Sequence, residues 1–106
     1  MYIDTHTHSL FSYDADYPLE TMIKAAEDAG LSVLAVTDHC DMERLCVDQL
    51  YETMPKAARA LIACREKTDL TLLCGVEVGE LCWNVPAARR ILSASPYDMV
   101  IGSVHI

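Results

Sequence analysis

The chain has 106 residues, which bounds it at one domain. Its composition is that of a soluble globular protein, 52% hydrophobic and 23% charged with four Gly and four Pro, and it excludes a low-complexity or fibrous chain. Sixteen acidic against eight basic residues give a net charge of −8. That balance argues against nucleic-acid binding by charge and suits a protein that holds cations.

In chain order, Tyr2-Ile3-Asp4-Thr5 begins a short first strand. His6 to Asp16 is a polar loop. Pro18 opens a helix, since its fixed φ suits the first turn. Leu19, Met22, Ile23 and Ala26 recur at helical spacing, and Gly30 closes the helix. Ser32 to Thr37 is an almost continuous apolar run, the pattern of a strand buried on both faces of a parallel sheet. Asp38 to Arg44 reads as a loop. Asp48 to Lys67 reads as helical, with Pro55 predicting either a kink or a start near Thr53. Leu70 to Val78 is the third strand. Gly79 to Asn84 is a loop in which Glu80 is expected to be solvated. A short helix follows over 86–93, with Asn84 or Val85 at its cap, and Asp98 to Val104 is the fourth strand.

The order β-α-β-α-β-α-β predicts an α/β fold with a parallel sheet and right-handed crossovers. No repeat or linker divides the chain. In such folds ligands bind beyond the C-terminal ends of the strands. Four runs fall at those ends: Asp4-Thr5-His6-Thr7-His8, Thr37-Asp38-His39, Gly75-Val76-Glu77 and Gly102-Ser103-Val104-His105. They contain all four histidines of the protein, and they are expected to converge although they lie about 30 residues apart.

His6 and His8 are separated by one residue, so an extended backbone points both imidazoles to one side. Asp4 shares their parity and is expected either to bind metal or to fix a histidine tautomer from behind. Asp38 would point away from His39 if the strand persists, which favours a supporting role over direct ligation. Glu77 ends a strongly apolar strand, where a carboxylate is costly unless it is paired or holds a cation, and it can bridge two ions. His105 ends the last strand. Imidazole and carboxylate together suit Zn, Mn or Fe better than Ca or Mg, and more than four candidate ligands imply two or three ions. Such a site activates water near neutral pH and clamps a phosphate ester. Composition does not separate Asp14 from Asp16.

The five cysteines, Cys40, Cys46, Cys64, Cys74 and Cys82, are odd in number and contain no C-x-x-C pair. They read as reduced cytosolic thiols, mostly small core residues, with Cys40 a further ligand candidate beside His39. No signal peptide precedes the first strand and no apolar run is long enough to span a bilayer, so a cytoplasmic location is expected. No phosphate-binding glycine loop or nucleophile elbow is present.

Taken together, the four runs resemble successive motifs of the PHP (polymerase and histidinol phosphatase) family, and Tyr97 to His105 resembles its histidinol-phosphatase branch. The resemblance covers essentially the whole chain. It implies the first part of a distorted (βα)7 barrel, a partial PHP domain over residues 1–106, with a metal cluster, commonly trinuclear, at the strand ends. It implies His6, His8, Glu77 and His105 as ligands, Glu77 bridging, with His39 and Asp14 holding another ion and Asp4 and Asp38 behind them. Arg44 is the basic residue placed to contact a substrate phosphate. The implied activity is hydrolysis of a phosphate monoester such as histidinol phosphate by metal-bound hydroxide. A PHP phosphoesterase with another substrate and a non-catalytic metal-binding fragment are the alternatives.

The family's later motifs, a further histidine and an Asp-x-His pair, have no counterpart in this sequence. An incomplete cluster and an open apolar sheet edge are therefore expected. Either the sequence is a fragment of a longer phosphatase, or a short protein completes its sheet by forming a homo-oligomer.

Overall fold

The computed structural model describes residues 1–12, 15–43 and 47–104. Among the described residues, four strands alternate with three α-helices: β1 (Ile3–Thr7), α1 (Leu19–Asp28), β2 (Val33–Asp41), α2 (Val47–Cys64), β3 (Thr71–Gly79), α3 (Val85–Ser93) and β4 (Met99–Ser103). The strands form one sheet in the order β1-β2-β3-β4, and each neighbouring pair is parallel. The expected α/β class and parallel topology are what the structure has.

All three helices pack on one face of the sheet. Leu34 and Val36 of β2 and Leu72 and Cys74 of β3 point into a core formed with Leu19, Ile23 and Ala26 of α1 and Ala58, Leu61 and Cys64 of α2. A second core joins Val76 and Val78 of β3 to Met54 of α2 and Ala87, Ala88 and Ile91 of α3. Side chains alternate along a strand. The odd-numbered residues of β2 and β3, including His39, Asp41 and Glu77, therefore face the opposite side. Two-sided burial of β2 and β3 is why both read as apolar runs rather than as alternating patterns.

Helix boundaries follow local chemistry. Pro18 occupies the N-cap position of α1 with extended ψ, one residue outside the helix. The helix ends in a Schellman arrangement. Gly30 sits at φ 79°. Its N–H donates to Glu27 O at 3.1 Å, and the Leu31 N–H donates to Ala26 O at 3.0 Å. The Asn84 side chain caps α3 by accepting from the Ala87 N–H at 3.2 Å.

Two sequence expectations are corrected. The helix expected from Asp48 begins at Val47 and runs through Pro55, so of the two readings of Pro55 the start near Thr53 is the one the structure sets aside. Its early turns are held by packing: Met54 is buried, Leu50 and Tyr51 lie against the second core, and the Arg90 guanidinium stacks 3.8 Å from the Tyr51 ring centroid. The second strand does not end at Thr37 but continues through Asp38 and His39 to Asp41. β3 runs beside it in unbroken register from Val33↔Thr71 to Asp41↔Gly79. On the side where β1 has already ended, the Ser12 hydroxyl accepts the His39 N–H at 2.8 Å. These backbone partners outweigh the weak strand preference of Asp and His.

Gly75 marks a close approach between strands. A Cβ at this position would lie 2.7 Å from Thr37 Cγ2, 3.0 Å from Met99 Cγ and 3.2 Å from Val36 O. Gly75→Ala is expected to destabilise the fold by about 1–3 kcal/mol through overpacking. A urea midpoint equal to that of the wild type would show that the strands separate without cost. Asp98 fastens the start of β4. Its N–H donates to Cys74 O at 2.7 Å, and its carboxylate accepts from Cys74 N at 2.8 Å and from Arg65 Nη2 at 2.7 Å.

The described cysteines are free thiols: Cys40, Cys64 and Cys74 are buried and Cys82 is exposed. Burial, with Asp41 adding to it, pushes the Cys40 thiol up to about 12. Alkylation of the native protein at pH 8 is expected to modify Cys82 and to spare Cys40, Cys64 and Cys74 until the chain is unfolded. Peptide mapping by mass spectrometry reads the result, and native-state labelling of Cys40 would contradict its buried placement. Cys46 lies outside the described residues.

Candidate metal centre

The site is built where β1, β2, β3 and β4 end. Here β1 is longer than its sequence suggested, so His6 lies inside the strand and His8 one residue beyond it. The register between β1 and β2 shifts: Asp4 pairs with Leu34, but Thr7 pairs with Val36. One extra residue on β1 is absorbed between them, and such a bulge reverses which face the following residues occupy. Asp4 thus shares the orientation of Leu34, while His6 and His8 turn to the face that carries Glu77. Equal parity of Asp4 and His6 was the sequence expectation, and the bulge overrides it. The Asp4 carboxylate instead accepts the His6 backbone N–H at 3.2 Å.

Glu77 is the hub. His6 Nε2 lies 2.6 Å and His8 Nε2 3.0 Å from its Oε1. Its Oε2 accepts the Ser103 hydroxyl at 3.1 Å and lies 3.7 Å from His39 Nδ1. The two oxygens of one carboxylate therefore face different histidines. The rings crowd together, with centroids 5.2 Å apart for His6 and His8 and 4.3 Å apart for His8 and His39. Access is graded: the Glu77 side chain is 4% exposed, His8 17% and His6 54%, so the centre opens to solvent on the β1 side. Burial pushes the Glu77 carboxyl up. The His6 and Ser103 hydrogen bonds, the nearby His39 and the His8 hydrogen bond outweigh it and hold the group at about 2.

His6, His8 and Glu77 each offer one donor atom, and the three atoms lie within 4.8 Å of one another. Two imidazoles and a carboxylate on one side leave open positions, the donor set that suits Zn or Fe. These donor types, gathered this closely, fit a divalent ion. His39 stands at the second oxygen of Glu77 and extends the cluster.

Asp38 faces away from His39, toward the helix side, as strand geometry requires. Its carboxylate accepts from the Ser9 N–H, from Ser9 Oγ at 2.7 Å and from Ser12 Oγ at 3.0 Å. All three residues are buried. The loop after His8 is thereby tied to β2, which sets where His8 ends up. Cys40 also points to the helix-side core and is not among the residues gathered at Glu77. Asp14, Arg44 and His105 lie outside the described residues.

Several participants are not evident in the sequence. Ser9 and Ser12 are ordinary loop residues until the fold brings them to Asp38. Ser103 pairs with Gly79 on the face of Glu77, a relation visible only once register is known. Glu80 is buried, at 4% exposure, rather than solvated. It adopts φ 53°, its N–H donates to Ser103 O at 3.0 Å, and its carbonyl accepts from Trp83 N at 3.0 Å. A tight turn between β3 and a short helical turn, Leu81–Trp83, produces that placement.

A family model described as "PHP domain" matches residues 4–106. The chain belongs to the PHP domain family. It is 28% identical over all 106 residues to a probable histidinol-phosphatase of Clostridium acetobutylicum, and it covers 40% of that protein. Its fold is similar to the crystal structure of histidinol phosphate phosphatase from Lactococcus lactis subsp. lactis, complexed with zinc, L-histidinol and phosphate. The TM-score is 0.71 at 23% identity, over 99% of this chain and 40% of that one. The four parallel strands with their interleaved helices are thus the curled first part of a PHP barrel. The chain spans about two fifths of the length of the relatives it matches.

Proposed function

We propose that the chain is the N-terminal part of a metal-dependent phosphatase that hydrolyses small phosphate monoesters, with histidinol phosphate the first substrate to test. The observation that carries this reading is the convergence of His6 Nε2 and His8 Nε2 on one oxygen of a buried glutamate at the C-terminal ends of parallel strands. Membership of the PHP family and the likeness to two histidinol-phosphatases support it. Divalent ions held there would supply an activated water and offset charge on the phosphoryl oxygens.

The chain's own residues do the rest. Glu77 presents one oxygen to His6 and His8 and the other toward His39, so it is the residue proposed to bridge two ions. Ser103 holds the second oxygen in place. Asp38, through Ser9 and Ser12, keeps the loop after His8 against β2. Asp14 and His105 are proposed as further ligands, and Arg44 as a contact for the substrate phosphate. Zinc is the first metal to test, with manganese and iron as alternatives. The net charge of −8 disfavours nucleic-acid substrates. The free, buried thiols support a reducing, cytoplasmic location. Among the described residues, no helix is long and apolar enough to cross a membrane.

The experiment is metal analysis of the purified chain, with phosphate release measured from histidinol phosphate, a nucleoside monophosphate and an aryl phosphate, with and without a chelator. Chelator-sensitive turnover that prefers histidinol phosphate is expected. Preference for another ester keeps the phosphatase reading and changes the substrate. Bound metal without turnover of any ester supports the second reading, a non-catalytic metal-binding module. Solution mass tests whether a homo-oligomer completes the sheet.

A further inference from the structure

β2 carries a second acidic residue on the face of the metal centre. Asp41 follows His39 by two positions, so both side chains leave the strand on the same side. The Asp41 side chain is 2% exposed and that of His39 7%. Asp41 Oδ1 lies 3.3 Å from His39 Nδ1. Glu77 Oε2 lies 3.7 Å from the same nitrogen. Two carboxylate oxygens thus face one ring nitrogen. A lone pair at Nδ1 would point at both negative charges, whereas an N–H there donates to one and is attracted by the other. That arrangement favours a ring with its proton on Nδ1.

We propose that Asp41 is a positioning residue for the metal centre: its carboxylate accepts the His39 Nδ1–H, fixes the ring and its tautomer, and leaves Nε2 as the metal-binding atom. This rests on the metal-centre reading above and adds to it the choice of nitrogen and the group that makes the choice. Carboxylates behind metal-binding histidines act in this way in general, and losing one typically weakens metal binding by about 10–100-fold.

The tautomer can be read without any metal. Metal-free protein with 15N-labelled histidine is examined by two-bond 1H–15N correlation near pH 8, with His39 assigned from a His39→Ala sample. Nδ1 is expected as the protonated nitrogen in the wild type and in Asp41→Asn, whose side-chain oxygen still accepts. In Asp41→Ala the ring is expected to shift toward the Nε2–H form or to average between tautomers. Zinc titration of the same samples is expected to show about 10–100-fold weaker binding in Asp41→Ala and less than about 10-fold weaker binding in Asp41→Asn. The affected equivalent is the one lost in His39→Ala.

An Nε2–H tautomer in the wild type overturns the proposal. So does a tautomer that Asp41→Ala leaves unchanged. Equal loss of zinc in Asp41→Asn and Asp41→Ala also overturns it, since that marks Asp41 as a ligand rather than a support. If Asp41→Ala fails to fold, the wild-type tautomer and Asp41→Asn still decide. Failure of the wild type to bind zinc at all, with Nδ1–H intact, overturns the metal-centre reading separately.

Discussion

Glu77→Gln is expected to weaken divalent-metal binding by about 100-fold or more, equivalent to about 2.8 kcal/mol. Gln matches Glu in size, so the cores on the other face of β3 are left intact and the effect is local. One oxygen becomes an NH2 group, which cannot accept from Ser103 or attract His39 as Oε2 does. The negative charge that would balance a divalent ion between His6, His8 and His39 is also lost. Isothermal titration with zinc, together with metal content after dialysis, measures the change. Wild-type affinity in this variant would remove Glu77 from the centre.

The same substitution tests the electrostatics of the metal-free chain. The Glu77 carboxyl is held at about 2, below its ordinary value of 4.5. A carboxyl whose folded value is depressed stabilises the fold above its unfolded value, and that contribution is lost as the pH falls toward its folded value. The stability difference between the metal-free wild type and Glu77→Gln is therefore expected to shrink as the pH falls from about 4.5 to about 2. Urea denaturation across that range measures it, and a pH-independent difference would show that the hydrogen bonds from His6, Ser103 and His8 do not favour the charged form.

Asp38→Ala is the second large effect, and it falls on stability rather than on binding. The substitution strands three buried donors, the Ser9 N–H, the Ser9 hydroxyl and the Ser12 hydroxyl. Each buried donor left without an acceptor costs about 1–3 kcal/mol, and because the three are neighbours a total of about 3–5 kcal/mol is expected. That is a large share of the stability of a small domain. Asp38→Asn keeps one acceptor oxygen and is expected to lose about half as much. Urea denaturation gives the energies, and amide exchange at Ser9 reports whether the loop has come loose. A loss below about 1 kcal/mol in Asp38→Ala would mean that the loop is held by something else.

Much of the architecture is legible in the chain itself. Leu34 to Val36 and Leu72 to Cys74 are apolar on both faces, and only a parallel sheet covered on both sides buries such runs. Pro18, Gly30 and Asn84 punctuate the helices through backbone restrictions that act within a few residues. Because those causes are local, the order of elements follows from them, and with it the expectation that histidines and a glutamate at strand ends meet. His6, His8, His39 and Glu77 do lie together. Boundaries that depend on partners were less legible. Pro55 is tolerated because Met54 and Tyr51 are packed, and packing of this kind has no local signature.

What the sequence by itself determined is which candidate residues stand at the ends of the strands. Parity along a single strand could not say which of them face each other. A bulge in β1 turns His6 toward Glu77 and Asp4 away, and its position depends on how β1 pairs with β2. Extension of β2 to Asp41 depends on β3 beside it and on Ser12 beyond the end of β1. Only then does Asp41 come to share a face with His39, Ser103 reach Glu77, and Ser9 and Ser12 reach Asp38. Each of these contacts joins residues through register or through neighbouring strands, and hydrogen bonds between strands are fixed only when the sheet forms. The tertiary structure therefore decided the supporting contacts around Glu77, while the meeting of His6, His8, His39 and Glu77 was already expected from the chain.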